Sequence, residues 1–306
     1  YIHQYIIAIN PSVIITTIDN NINFWKLKDK FKNIKTIFIQ NGNRDNVTDV
    51  FSKLISQDLN KYSVDKMFVF NKAIGNEFSK YINGEIISIG SFNNNKFPIS
   101  KKDDGSILYI SQWDKYSPQV YPQGYQYFYD YNIKSENFLF SAVSKFSKEK
   151  KITLKVLGRS INANEEEKFY RNINEDFTYL KRDLTTRNNS YNKIDESKYI
   201  ISTDSTLAYE ALAKGKKTAI ISNRGKFLNI NAFKFGWPAN FDEKGLFWSN
   251  EIDDVYFEKI MIGNKVYTKL KCERKLTAYK IFYEKFKIMF KSILDTLHTL
   301  LLLIIN

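Results

Sequence analysis

With 306 residues, 43% hydrophobic and 26% charged, the chain has a globular rather than a disordered composition and room for one large or two ordinary domains. A single cysteine, Cys272, excludes an intramolecular disulfide or a multi-cysteine zinc site and suits a reducing cytoplasm. The two histidines, His3 and His298, argue against a His-based metal centre or a Ser-His-Asp triad. A net charge of +13 favours anionic partners, namely nucleic acid, lipid headgroups, or a phosphorylated or acidic sugar. No nucleic-acid-binding signature is present, which leaves the last two.

The chain opens on Tyr1 with no charged segment before its first apolar run, so it reads as truncated at the N-terminus and without a secretion signal. Short β-branched runs then alternate with helical patterns. Val13–Ile18, Thr36–Gln40, Lys66–Phe70 and Glu85–Ile89 read as strands. Between them, residues 47, 50, 51, 54 and 55 of Val47–Leu59 fall on one face of a helix. Strands joined by helical crossovers predict a parallel sheet covered on both faces.

Phe92–Gly105 is polar and aperiodic, with Pro98 and Gly105, and reads as a linker. The alternation then restarts. Strands are predicted at Ile107–Gln112, Ile152–Leu157, Phe177–Leu180, Tyr199–Ser202 and Thr218–Ser222, with helices over Ser135–Lys148, from Glu165, and over Thr206–Ala213. This predicts two Rossmann-like α/β domains, 1–100 and 101–260. The remainder, 261–306, is a tail. Its segment Lys275–Leu297 carries an apolar aromatic stripe with lysines elsewhere, and Leu300–Ile305 is far shorter than the ~20 residues that span a membrane. A lysine-rich amphipathic tail suits either packing on the protein or docking on an anionic membrane surface.

Ligands of open α/β sheets bind beyond the carboxyl ends of the strands. Nearly every predicted strand here ends in polar residues. Asp19 follows the first; Gln40, Asn41 and Arg44 follow the second; Gln112 and Asp114 follow Ile107–Ile110; Arg159 follows Leu157. Asp19, Gln112 and Asp114 are therefore the catalytic candidates, and Gln40, Asn41 and Arg44 the candidates for the acceptor or sugar. Arg159 can clamp a phosphate or simply pair with Glu165–Glu167, and Asp19 can equally cap the next helix. Trp113, Trp237 and Trp248 read as packing residues sooner than as sugar platforms, and His3 as incidental.

The stretch "STDST" (Ser202–Thr206) is small and hydroxylated in a chain otherwise rich in Ile, Phe, Tyr and Lys. It joins a strand to a helix whose free N–H groups and positive dipole end favour an anion. Ser202, Asp204, Ser205, Thr206 and Arg159 are thus the predicted phosphate-binding set, with Glu210 one turn further on, placed to accept from ribose hydroxyls. A plain helix cap at Ser205 would need only one of these hydroxyls.

"STDSTLAYEALAKGKKTAIIS" resembles the donor-binding segment of GT-B glycosyltransferases, in which two Rossmann-like domains face each other across a cleft. In order, "TTIDNN", "FIQNGNR", "IGSFNNN", "ILYISQW", "STDSTLAYEALAKGKK" and "GLFWSN" are similar to a bacterial family of surface-carbohydrate (O-antigen) biosynthesis transferases, over about residues 10–260. That family is distantly similar to transferases of CMP-activated ulosonic acids. The resemblance implies a cytoplasmic, metal-independent glycosyltransferase without cofactor. It would be peripheral at the inner face of the membrane and would move a sugar from a nucleotide donor to a lipopolysaccharide or capsule glycan. It assigns donor binding to Ser205, Thr206 and Glu210, and it leaves the catalytic carboxylate unassigned. Family members usually carry a first strand that this chain lacks. Two other readings share the scaffold: a non-hydrolysing sugar-nucleotide epimerase, against which the scarcity of histidines and acid/base pairs counts, and a non-catalytic nucleotide-binding relative.

Overall fold

The computed structural model describes residues 2–42, 62–97, 103–115, 126–183, 189–221, 223 and 247–249. One compact unit covers Tyr1–Lys271; the second, Cys272–Asn306, lies outside the described residues, as do the helix expected over Val47–Leu59 and the tail helix.

Helix α1 (Ile2–Ile9) leads into strand β1 (Val13–Thr16). The short helices α2 (Ile22–Trp25) and α3 (Leu27–Lys30) follow, then β2 (Lys35–Ile39), β3 (Tyr62–Val69), α4 (Lys72–Ser79) and β4 (Ile82–Ser88). The four strands form one sheet in the order β1-β2-β3-β4, every pair parallel. Asparagines cap α2 and α4: Asn21 Oδ1 accepts from the N–H groups of Asn23 and Phe24, and Asn71 Oδ1 from that of Ile74. The core of this half gathers Trp25, Phe38, Met67, Phe78 and Ile82, all fully buried.

β3 and β4 begin four and three residues before their predicted starts. Ser63, Asp65, Asn83 and Glu85 break up the apolar run there, and the pairing shifts register between Ser63 and Lys66. Asp65 is tolerated inside β3 because Lys28 Nζ and the Thr36 N–H, each 2.7 Å away, donate to its carboxylate. Burial pushes that carboxyl pKa up, but these donors outweigh it and hold it below its usual value.

The second half runs β5 (Ile107–Ile110), α5 (Gln126–Lys150), β6 (Leu154–Leu157), α6 (Ala163–Arg171), β7 (Thr178–Leu180), α7 (Asn189–Glu196), β8 (Tyr199–Ser202), α8 (Thr206–Ala213), β9 (Lys217–Ile221) and β10 (Trp248–Ser249). Its six strands are parallel in the order β10-β9-β8-β5-β6-β7. All four residues of β5 are buried, as a strand covered on both faces requires. Ile107 and Tyr109 pack with Leu139, Phe140 and Val143 of α5 on one face. Leu108 and Ile110 pack with Ile194 of α7 and Ala208 and Ala211 of α8 on the other. The chain winds from β5 outward to β7, then restarts beside β5 at β8 and winds the other way. The fold is mixed α/β with two parallel sheets, as the alternation of strands and helices in the sequence predicts.

Phe92–Phe97, the first part of the predicted linker, is seated together with the preceding Ser91. Asn94–Lys96 forms a 3-10 turn, Asn94 is buried, and Phe97 stacks on Tyr191 of α7 at 4.3 Å between ring centroids. Its polar side chains concealed a segment that packs through one aromatic ring and two hydrogen bonds to Glu210.

Candidate functional site

The point where the strand order reverses lies between β5 and β8, and the crevice beyond their carboxyl ends is where an open α/β sheet binds its ligand. Ser202–Thr206 stands at that point. Ser202 is fully buried; its Oγ donates to the Ile110 carbonyl across the reversal and accepts from the Ser205 N–H. Ser205 caps α8, its Oγ accepting the Leu207 N–H at 3.3 Å. Asp204, Ser205 and Thr206 are partly exposed at the N-terminus of α8, whose positive dipole end favours an anion.

On the β5 side, Gln112 and Asp114 are partly exposed and Trp113 is buried in the core, 6.3 Å from Phe169. Arg159, exposed after β6, donates from Nη1 to Gln112 Oε1 at 2.8 Å. The structure therefore brings Gln112, Arg159 and the hydroxyl turn to one sheet edge. Glu165 pairs with Lys115 at 2.7 Å, and Glu166 Oε1 accepts the Arg159 N–H, not its guanidinium.

Three side chains sit differently from expectation. Ser202 staples the turn from inside. Asp19, expected as a catalytic candidate, is fully buried, and its Oδ1 accepts the Asn41 N–H at 3.1 Å, tying the ends of β1 and β2 together. Gln40, expected to face the acceptor, is buried too; its Nε2 donates to the Gly42 carbonyl and its Oε1 accepts the Phe70 N–H. Strand-end polarity signals a ligand site only where the side chain is not needed to satisfy neighbouring loops. Asn41 is exposed, and Arg44 and Trp237 lie outside the described residues.

Glu210, on the second turn of α8, is 7% exposed. Ser91 Oγ donates to its Oε1 and Tyr191 OH to its Oε2, the latter at 2.9 Å. Burial raises its carboxyl pKa against these two donors and the charge of Lys214. Lys214 in turn lies 3.2 Å from Asp195 with its side chain fully buried.

Two carboxylates beneath the crevice escaped prediction. Glu136 of α5, 1% exposed, accepts from Tyr109 OH at 2.8 Å, Tyr170 OH at 2.7 Å, the Gln112 N–H at 3.1 Å and Thr203 Oγ1 at 2.5 Å. Glu166 of α6, fully buried, accepts from Ser111 Oγ, Tyr179 OH and the N–H groups of Arg159 and Ser160. Tyr170 OH lies 2.8 Å from Ser111 Oγ and joins the two networks. Burial first, and then the adjacent carboxylates, push the Tyr170 and Tyr179 pKa values far up, so both stay protonated donors. Gly158 lets this layer close, since a Cβ there would collide with Tyr179 Oη and stand 3.1 Å from Glu166 Oε2. Glu136 was detectable in principle: it stands i, i+3, i+4 and i+7 with Leu139, Phe140 and Val143, a charge on the apolar stripe of its helix.

Among the described residues no group of three or more His, Cys, Asp or Glu side chains could hold a metal ion, and no helix is long and apolar enough to cross a membrane.

The described residues thus form an α/β protein whose doubly wound parallel sheet has a hydroxylated turn and a helix N-terminus at its switch point. Over residues 37–294 the chain matches, and belongs to, the family described as "putative O-antigen biosynthesis protein". No curated protein matches it. Among solved structures it is similar to the pneumococcal O-GlcNAc transferase GtfA in complex with UDP and GlcNAc, at 12% identity and a TM-score of 0.45, over 96% of this chain and 60% of that one. It is similar to S. aureus TarM, solved as a point mutant with fondaparinux, alpha-GlcNAc-glycerol and UDP, at 16% identity and a TM-score of 0.45, over 86% and 52%. Against S. aureus MnaA with UDP the values are 12% and 0.45, over 71% and 59%. The chain thus spans between 52% and 60% of the length of these structures. Likeness at this level carries no information on the reaction.

Proposed function

We propose that the protein is a glycosyltransferase of surface-glycan biosynthesis that binds a nucleotide sugar in the crevice between β5 and β8 and transfers the sugar to a glycan acceptor. The observation that carries this reading is the Ser202–Thr206 turn at the switch point, in a chain of an O-antigen biosynthesis family. The donor phosphates sit on the N–H groups opening α8, with Ser205, Thr206 and Asp204 around them and Arg159, steadied by Gln112, opposite. Developing charge on the leaving phosphate is then stabilised by a helix N-terminus and a guanidinium, a scheme that needs no metal. Glu210 serves the ribose once a sugar hydroxyl takes the place of Ser91 at its carboxylate. Asp114, partly exposed at the β5 end, is the better placed of the two carboxylate candidates, since Asp19 is buried. Residues 1–100 form the acceptor side, 101–260 the donor side, and the lysine-rich tail docks at the anionic cytoplasmic face of the membrane. A donor with both phosphate and carboxylate, such as a CMP-ulosonic acid, matches the net charge of +13.

A thermal-shift screen of CMP, UDP, GDP and their sugars tests the reading, because a ligand at 100 times its Kd adds about 2.7 kcal/mol of stability. Ser205→Ala and Thr206→Ala are expected to weaken the stabilising nucleotide about tenfold while costing about 1 kcal/mol as cap changes. Loss of stability with unchanged nucleotide affinity would reduce the turn to a helix cap. Sugar transfer to a lipid-linked glycan, rather than epimerisation of the donor alone, separates the transferase from an epimerase on the same scaffold.

A further inference from the structure

We propose that Glu136 is the positioning residue of this crevice, holding the strand ends on its two sides at a fixed separation. The inference rests on the nucleotide reading above. α5 packs on one face of the sheet, and two successive residues on it reach three strand ends. Ser135 Oγ is hydrogen-bonded to Asn223 Oδ1 just after β9. Glu136 Oε1 accepts Thr203 Oγ1, just after β8, and Glu136 Oε2 accepts the Gln112 N–H, just after β5.

The geometry spans the reversal point with one rigid group. A carboxylate is planar, and its two oxygens face the two loops that would flank a bound phosphate. Gln112 then passes the constraint on, because its side chain anchors Arg159 Nη1 at 2.8 Å. The hydrogen bond from Thr203 fixes the first residue after β8, immediately before Asp204 and the Ser205 cap. Both halves of the phosphate-binding set are thus referenced to one buried oxygen pair.

Burying a carboxylate beneath a sheet is costly even with good donors. Neighbours one and two turns along the same face of α5, Leu139, Phe140 and Val143, are apolar and fully buried, so an apolar residue would also pack at this position. What an apolar residue could not do is accept from both loops. Charge-assisted hydrogen bonds are short and directional, which suits a group whose task is placement.

Glu136→Gln is the direct variant, but it disturbs four donors at once and can cost the fold. Thr203→Val reports the same contact from the loop side with nearly unchanged shape. Tyr109→Phe removes a different donor from the same carboxylate, inside β5 and away from both loops. Calorimetric titration of the full chain with UDP and CMP reads the outcome. For whichever probe binds the wild type, Thr203→Val is expected to raise Kd by about tenfold or more, Thr203→Ser to stay within about threefold, and Tyr109→Phe to stay within about threefold while lowering the melting temperature. Unchanged affinity in Thr203→Val, or equal weakening in Tyr109→Phe, overturns the positioning role while the nucleotide reading stands. A folded wild type that binds neither probe overturns the nucleotide reading, and the positioning role with it.

Discussion

Burial raises the carboxyl pKa of Glu210 above its ordinary value of 4.5, and hydrogen bonds from Ser91 and Tyr191 with the charge of Lys214 only partly offset this. The direction has a measurable consequence. In the unfolded chain the group loses its proton near its ordinary value, while in the folded chain it keeps it to higher pH. Between the two values the native state binds more protons than the unfolded state, so stability falls as pH rises through that window. Glu210→Gln keeps the shape and does not titrate. The stability of the wild type relative to Glu210→Gln is therefore expected to decline in urea unfolding as pH rises above the ordinary carboxyl value of 4.5. A difference that stays flat or grows with pH would show that the carboxylate is held charged by its partners. The same residue illustrates how a site can be readable in type and not in state. Its place one turn into a helix at a strand end is visible in the sequence, whereas its engagement by Ser91, 119 positions earlier, is a tertiary fact.

At the scale of the element, α8 shows why some bounds were legible and others were not. Ser205 caps its start and Gly215 ends it, and both signals stand in the sequence, so the helix falls on Thr206–Ala213 as predicted. Past the C-cap Lys214, Gly215 adopts φ +80°, its N–H bonds to the Leu212 carbonyl, and the Lys216 N–H bonds to that of Ala211. These two bonds are the Schellman arrangement, which needs a left-handed residue at that position. Gly215→Ala meets no neighbouring atom, so its expected cost is the conformational one alone, about 1 kcal/mol. Chemical denaturation would check this, and a loss several times larger would mean that the turn packs more tightly than its open surroundings indicate. α5, by contrast, begins at Gln126 rather than at the predicted Ser135, because "QYFYDYN" has no apolar periodicity to announce a helix. For Asp65 inside β3 and Glu136 on the buried face of α5, the sequence shows the misplaced charge but not the partners that hold it. Each is a charge in an apolar pattern, and its partners lie on distant segments. Asp19 and Gln40 show the converse, polar strand ends that look like ligand groups and are occupied in holding loops.

For the whole molecule, what matters is how the two sheets are coupled, since the proposed transfer needs a donor held on one and an acceptor on the other to be brought together. Ser91–Phe97 leaves the first sheet after β4 and is fastened to the second. Ser91 Oγ bonds to Glu210, Asn94 Nδ2 donates to the Glu210 carbonyl at 3.2 Å, and Phe97 stacks on Tyr191 with an interplanar angle of 24°. Lys214 lies 5.4 Å from the Tyr191 ring and 6.0 Å from that of Phe97, adding a cation–π contribution to the same cluster. The first sheet has the weaker independent claim to stability, because its edge strand β1 leaves Ile15 and the following Ile18 exposed, and α1 exposes Ile2, Tyr5, Ile7 and Ile9. Fastening it to the larger, doubly covered sheet is therefore expected to make the two open together. The double variant Ser91→Ala/Phe97→Ala removes the hydroxyl and the ring while leaving every strand pair intact. In native-state hydrogen exchange its β2 and β3 amides are expected to exchange about tenfold faster or more than in the wild type, with β5 and β8 amides nearly unchanged. If the two sheets instead lose protection equally, the segment supports both cores and does not act as the coupling between them. If neither changes, the coupling runs through other contacts, and Glu210 can exchange Ser91 for a ribose hydroxyl without loosening the first sheet.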